Sequence, residues 1–179
     1  IHTKYHDIEW GTHLHNDRKL FEFLVLDAMQ SGLSWRIVLN KRKSFQKAFD
    51  NFDAAKISKY TSKDVKRLLA DGGIIRNRRK VESAINNAER FLETKNEFGT
   101  FDSYIWSFTD YKTIINQFKT WTDIPATSPE SETMSKDMKG RGFTFVGPTV
   151  CYAFMQTIGM INDHVAGCFR KKELMSISG

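Results

Sequence analysis

The sequence is short of every feature that would take it outside the ordinary globular class. Two cysteines in 179 residues, Cys151 and Cys168, cannot build a disulfide framework, and such usage fits a reducing compartment. Three prolines and 11 glycines leave no collagen-like or linker-like tract. The longest apolar runs, such as Phe23 to Leu26, fall far below the roughly 20 residues that span a bilayer, so no membrane partner is expected. No charged-then-apolar leader opens the chain, and a cytoplasmic location is the expectation. Internal repeats are missing, and strict apolar–polar alternation is nowhere sustained, which argues against a β architecture.

What is present fits one helical domain over residues 1–179. Apolar residues make up 40% of the chain, and a chain of this size buries about 70% of its unfolded surface without covalent help. With 27 Lys+Arg against 21 Asp+Glu the formal charge is +6. A polyanionic partner, gained through counterion release, and a merely solvated basic surface are both open on charge alone.

The helical period recurs along the whole length. Leu20, Phe21, Phe23, Leu24, Val25, Leu26 and Met29 cover nearly all sides of a helix capped by Asp17 and stopped by Gly32, so burial on several faces is expected. Ser34 is placed to cap the next helix, and Asp53 a short one. Thr61 with Asp64 has capping-box spacing, and Val81, Ala84, Ile85, Ala88, Phe91 and Leu92 give the clearest 3.6-residue stripe. Helix starts are expected at Ser128-Pro129 and Gly147-Pro148, while residues 111–118 are ambiguous. The fold class is all-α.

Four groups of residues can carry chemistry. Between two predicted helices, Gly72 and Gly73 permit backbone geometries closed to other residues, so their N–H groups can converge on the following helix start. Arg76, Arg78, Arg79 and Lys80 add charge there, as in a helix-hairpin-helix clamp on a DNA backbone; an ordinary turn with a solvated basic face is the alternative. Asp27 stands alone in an apolar helix, where a carboxylate needs a hydrogen-bond partner, water or a cationic ligand. Tyr5, Trp10 and Trp35 flank short polar segments, and planar rings can sandwich an extruded base, whereas Trp106 reads as core. His164 and Cys168 lie four apart, on one face of a helical turn, with His6 a possible third zinc ligand; a satisfied histidine near a buried cysteine is the alternative. Too few further His ligands exist for a metal-dependent phosphohydrolase.

Taken in order, Tyr5-His6-Asp7-Ile8-Glu9-Trp10-Gly11, Gln30-Ser31-Gly32-Leu33-Ser34-Trp35, Gly73-Ile74-Ile75-Arg76-Asn77-Arg78, Arg141 to Gly147, and Asn162-Asp163-His164 with Cys168 resemble the 3-methyladenine DNA glycosylase I family of the helix-hairpin-helix superfamily. The resemblance runs from Tyr5 to Cys168. It implies a bacterial, monomeric DNA repair glycosylase that acts on double-stranded DNA containing alkylated bases. Such an enzyme flips out N3-methylated adenine, hydrolyses its N-glycosidic bond and leaves an abasic site, with 3-methyladenine as product. By the same resemblance Asp27 is the catalytic carboxylate and Tyr5, Trp10 and Trp35 bind the base. Gly32 and Leu33 fill the gap left in the duplex, and Gly73, Arg76 and Arg78 hold the DNA backbone within a hairpin element over about residues 62–94.

The resemblance further implies a small lobe formed by the two chain ends, about residues 1–16 and 148–179, tied by a structural zinc on His6, His164 and Cys168. Because the chain starts at Ile1, the fourth ligand, a cysteine near the initiator Met, is expected upstream. The family commonly carries Glu where this chain has Asp27. Asp102 matches the catalytic Asp of related glycosylases by distance alone and is assigned no role. A non-catalytic helix-hairpin-helix DNA-binding module is the alternative function.

Overall fold

The computed structural model describes residues 2–177. Residues 1, 178 and 179, at the outer ends of the expected terminal lobe, lie outside the described residues. In chain order the helices are α1 (His2–Ile8), α2 (Asp17–Gln30), α3 (Trp35–Ala48), α4 (Ala54–Ile57) and α5 (Ser62–Ala70). They continue with α6 (Arg78–Phe98), α7 (Phe101–Trp106), α8 (Pro129–Gly140), α9 (Pro148–Thr157) and α10 (Phe169–Ile177). None of them is long and apolar enough to cross a membrane.

The fold is organised around α2. Every residue from Leu20 to Met29 is buried, because α2 packs against α3, α6, α7 and α9. That all-round burial explains why its apolar residues lack a single stripe, whereas α6 shows one: Val81, Ala84, Ala88 and Phe91 face the core and the opposite side is wet. Around α2 the aromatic core includes Phe21 on Phe91 and Phe91 on Phe101, with ring centroids 5.0 and 4.4 Å apart. Trp106 is core, its indole N–H donating to Leu14 O.

The caps mostly stand where the sequence puts them. Thr61 and Asp64 form a reciprocal capping box, Asn77 caps α6, and Pro129 and Pro148 occupy the first helical turns of α8 and α9. Asp17 is a correction. The cap of α2 is Asn16, whose Oδ1 accepts from Lys19 N at 3.1 Å. Asp17 sits one residue inside and instead accepts from Asp102 N–H and pairs with Lys95, stapling α2 to α7 and α6.

Helices are not the whole account. Residues 111–118 contain β1 (Ile114–Ile115), which pairs in parallel with β2 (Ile161–Asn162), Ile114 opposite Ile161 and Ile115 opposite Asn162. Two residues per strand are too few to show alternation in a sequence. The pair fixes the segment that delivers His164.

Candidate active site

Three parts of the chain converge on the C-terminal half of α2. Helix α1 and the turn after it bring Tyr5 and Trp10, the first turn of α3 brings Trp35, and the end of α9 brings Ala153, Gln156 and Thr157. With Asp27 and Gln30 of α2 these residues line a cavity of about 150 Å³. Tyr5, Trp10 and Trp35 also line an adjoining compartment of about 160 Å³, closed by His2, His6 and Trp121. Tyr5 and Trp35 lie 5.4 Å apart at a tilt of 56°, and Trp10 and Trp121 6.0 Å apart. The two compartments form one aromatic cup with a carboxylate at its floor.

The floor is electrostatically unusual. Asp27 is 3% exposed, and its Oδ2 has no hydrogen-bond partner among the described residues. Burial therefore pushes its carboxyl well above the usual carboxylate range. The indole Nε1 of Trp35 is likewise buried and unpartnered. Tyr5 is satisfied, donating to Thr157 Oγ1 at 3.2 Å; burial, then the nearby Asp27 charge, raises its pKa. A cup of rings with an unpaired buried acceptor and an unpaired buried donor is suited to a planar, cationic heterocycle.

A partly buried ionic network sets the wall. Arg42 of α3 donates to Glu9 Oε2 at 2.6 Å and to Glu22 Oε1 at 2.8 Å, holding the residue before Trp10 against α2 and α3. Burial would raise the Glu22 carboxyl, yet the hydrogen bonds from Arg42 and Lys19 outweigh it and hold Glu22 below its ordinary value. Asp102 is elsewhere, at the start of α7, where its carboxylate meets His15 Nδ1 at 2.9 Å.

Beside the cup the chain ends meet. The ligand atoms of His6, His164 and Cys168 all lie within 4.8 Å of one another, and Cys168 Sγ is 3.6 Å from His6 Nε2. A tetrahedral ion with Zn–N of about 2.1 Å and Zn–S of about 2.3 Å sets such a pair about 3.6 Å apart. His164 Nδ1 engages Asn162 Oδ1 at 3.0 Å and His6 Nδ1 engages Asp7 Oδ1 at 2.8 Å, leaving each Nε2 free to ligate. His164 Nε2 is buried without a partner among the described residues, and burial, then the neighbouring His6, Arg170 and Lys171 charges, pulls that imidazole down to about 4. The donor set fits zinc. Gly11 permits the packing, since a Cβ there would lie 2.8 Å from His164 Cε1 and its φ is +76°.

The basic hairpin differs in two respects from the sequence expectation. Gly72 and Gly73 adopt no left-handed φ, and the Gly73 N–H turns inward to Asp71 Oδ1 at 2.7 Å. Gly73 is needed for space instead, because a Cβ would lie 3.0 Å from Ser44 Cβ. Lys80 is buried rather than part of the basic face. Arg76, Arg78 and Arg79 are exposed, Arg78 in a surface pair with Glu82 at 3.2 Å. Gly32 and Leu33 follow α2 directly, Leu33 39% exposed. His2, Gln30, Trp121, Ala153, Gln156 and Thr157 line the cup without having been singled out in the sequence, and of these only Gln30 lies in one of the quoted motifs.

Comparison with known proteins shows the family. A family model described as methyladenine glycosylase matches residues 1–171. DNA-3-methyladenine glycosylase 1 of Escherichia coli (strain K12) is 42% identical over 168 residues, which cover 94% of this chain and 90% of that protein. A crystal structure of 3-methyladenine DNA glycosylase I superposes with a TM-score of 0.91 at 43% identity, covering 93% of this chain and 92% of that one. A tyrosine-to-phenylalanine variant of 3-methyladenine DNA glycosylase I in complex with 3-methyladenine superposes with a TM-score of 0.92 at 30% identity, covering 94% and 91%.

Proposed function

The chain belongs to the methyladenine glycosylase family and acts as a DNA-3-methyladenine glycosylase; we propose that it does so with the cup of Tyr5, Trp10 and Trp35 around Asp27. The single observation that carries this reading is the unpaired Asp27 carboxyl on the floor of that cup.

Methylation at N3 makes adenine cationic in DNA and already a good leaving group, so no strong acid is needed to protonate it. Selection then does most of the work. An extruded purine enters the cup, the aromatic faces and the Asp27 carboxyl, whose ionised form the incoming cation itself favours, hold its positive charge, and a neutral adenine forfeits those contacts. The N9–C1′ bond breaks with its electron pair going to the base, water adds at C1′ and gives up a proton, and neutral 3-methyladenine leaves an abasic site. Asp27, in place of the family's common Glu, keeps the charge with one methylene less reach.

The helix pair α5 and α6 with the turn between them serves as the helix-hairpin-helix grip on double-stranded DNA, through Gly73, Arg76 and Arg78. Gly32 and Leu33 fill the space the base vacates, an apolar wedge. His6, His164 and Cys168 hold a structural zinc, whose contribution is to tie the two chain ends beside the cup. The enzyme works as a monomer in a bacterial cytoplasm.

Incubating methylated duplex DNA with the protein and chromatographing the released bases tests the reading. Free 3-methyladenine is the expected product, and no release above the enzyme-free blank overturns it.

A further inference from the structure

Lys80 is 7% exposed, although it lies in the most basic stretch of the chain. Its ammonium donates to Met29 O at 2.8 Å and to Ser31 O at 2.5 Å. These carbonyls end α2, where the last turn leaves acceptors unpaired and the helix dipole favours a cation. A buried ammonium is costly unless its donors are met, so this contact fixes geometry rather than adding surface charge. Two residues along a helix rotate a side chain by about 200°. Arg78 accordingly faces solvent while Lys80, on the opposite side of the same first turn, reaches 51 residues back to Met29.

The carbonyls it holds lie between the floor of the cup and the wedge turn. Asp27 lies just before them in α2, and Gly32, Leu33 and Trp35 follow directly. We propose that Lys80 is a positioning residue that keeps the Leu33 wedge in fixed register with the hairpin that grips the DNA backbone, so that duplex binding and base extrusion act as one rigid unit. The inference rests on the glycosylase reading above. It makes no covalent use of the amine.

Lys80→Met, with Lys80→Gln as a second variant that keeps one donor, is compared with the wild type in three measurements. Single-turnover excision from methylated duplex DNA is expected to fall roughly tenfold to a hundredfold, the effect of small misplacement remote from the chemistry. Excision from methylated single strands, where no neighbour must be wedged apart, and binding of free 3-methyladenine, followed by tryptophan fluorescence, are expected to stay within about twofold. Lys80→Arg, which can meet both carbonyls, should recover part of the duplex activity. Unchanged duplex excision overturns the proposal. Equal losses in all three measurements, or variants too unstable to fold at the assay temperature, also overturn it, because Lys80 would then serve only the core. A wild type that releases no base would instead reject the glycosylase reading itself.

Discussion

Replacing Asp27 by Asn should separate activity from stability and move them in opposite directions. Asp27 is the only carboxylate among the described residues lining the inner cavity, and its Oδ2 has no protein partner to lose. A hydrogen bond to a charged group contributes about 1.5–3 kcal/mol net. At about 1.4 kcal/mol per decade, the loss in kcat/KM for 3-methyladenine is roughly 10- to 150-fold. Stability should rise. Burial lifts the Asp27 carboxyl, so the folded chain binds a proton that the unfolded chain has already released above the ordinary carboxylate range. The stability contributed by this group is therefore present at low pH and lost as pH climbs from that range through the raised value. Asn carries no such titration. The difference in stability between variant and wild type should therefore move in favour of Asn as pH rises. Base release from methylated DNA and scanning calorimetry at pH 5 and pH 8 read both effects. Unchanged excision, or a difference in Tm that does not move toward the variant between pH 5 and pH 8, would refute the reasoning.

Three further outcomes follow from the geometry. The His6, His164 and Cys168 cluster should hold zinc, detected by elemental mass spectrometry and lost with His164→Ala; at zinc a thousandfold above its Kd the ion adds about 4 kcal/mol, readable as a drop in Tm on chelation. A protein that stays zinc-free when supplied with the ion would reject the ligand set. Trp121, 56% exposed and facing Trp10, should matter to the base and not to the duplex: Trp121→Ala removes about 0.5–1.5 kcal/mol of ring contact, a two- to tenfold loss in binding of free 3-methyladenine. Arg78→Ala should reduce the slope of log K against log salt for duplex binding by about 0.9, the loss of one phosphate contact; an unchanged slope removes Arg78 from the interface.

How far the sequence discloses this protein depends on how local each signal is. The stripe on α6, the Thr61–Asp64 box and the prolines of α8 and α9 are written in consecutive turns and could be read directly. Helix α1 could not, since it has seven residues and buries only Tyr5. Asp27 was conspicuous because a charge interrupts an apolar run, and Tyr5, Trp10 and Trp35 because each sits in a motif. Trp121 stands in a short 3-10 turn without periodicity, and Thr157 reaches Tyr5 across 152 residues, so nothing nearby in the chain marks either one. Lys80 was misassigned by counting charges. The same helical period that identified α6 already places it opposite Arg78, with the buried side.

The meeting of the two chain ends has a consequence for biosynthesis. Tyr5 and His6 wait on α1 for Thr157 and for His164 and Cys168, and Thr157 leaves the ribosome 152 residues after Tyr5. Domains assemble from the N-terminus as they emerge, and contacts this distant in sequence form late. The damage-sensing pocket thus closes only once that whole span has been made, and a nascent chain shorter than it is catalytically mute.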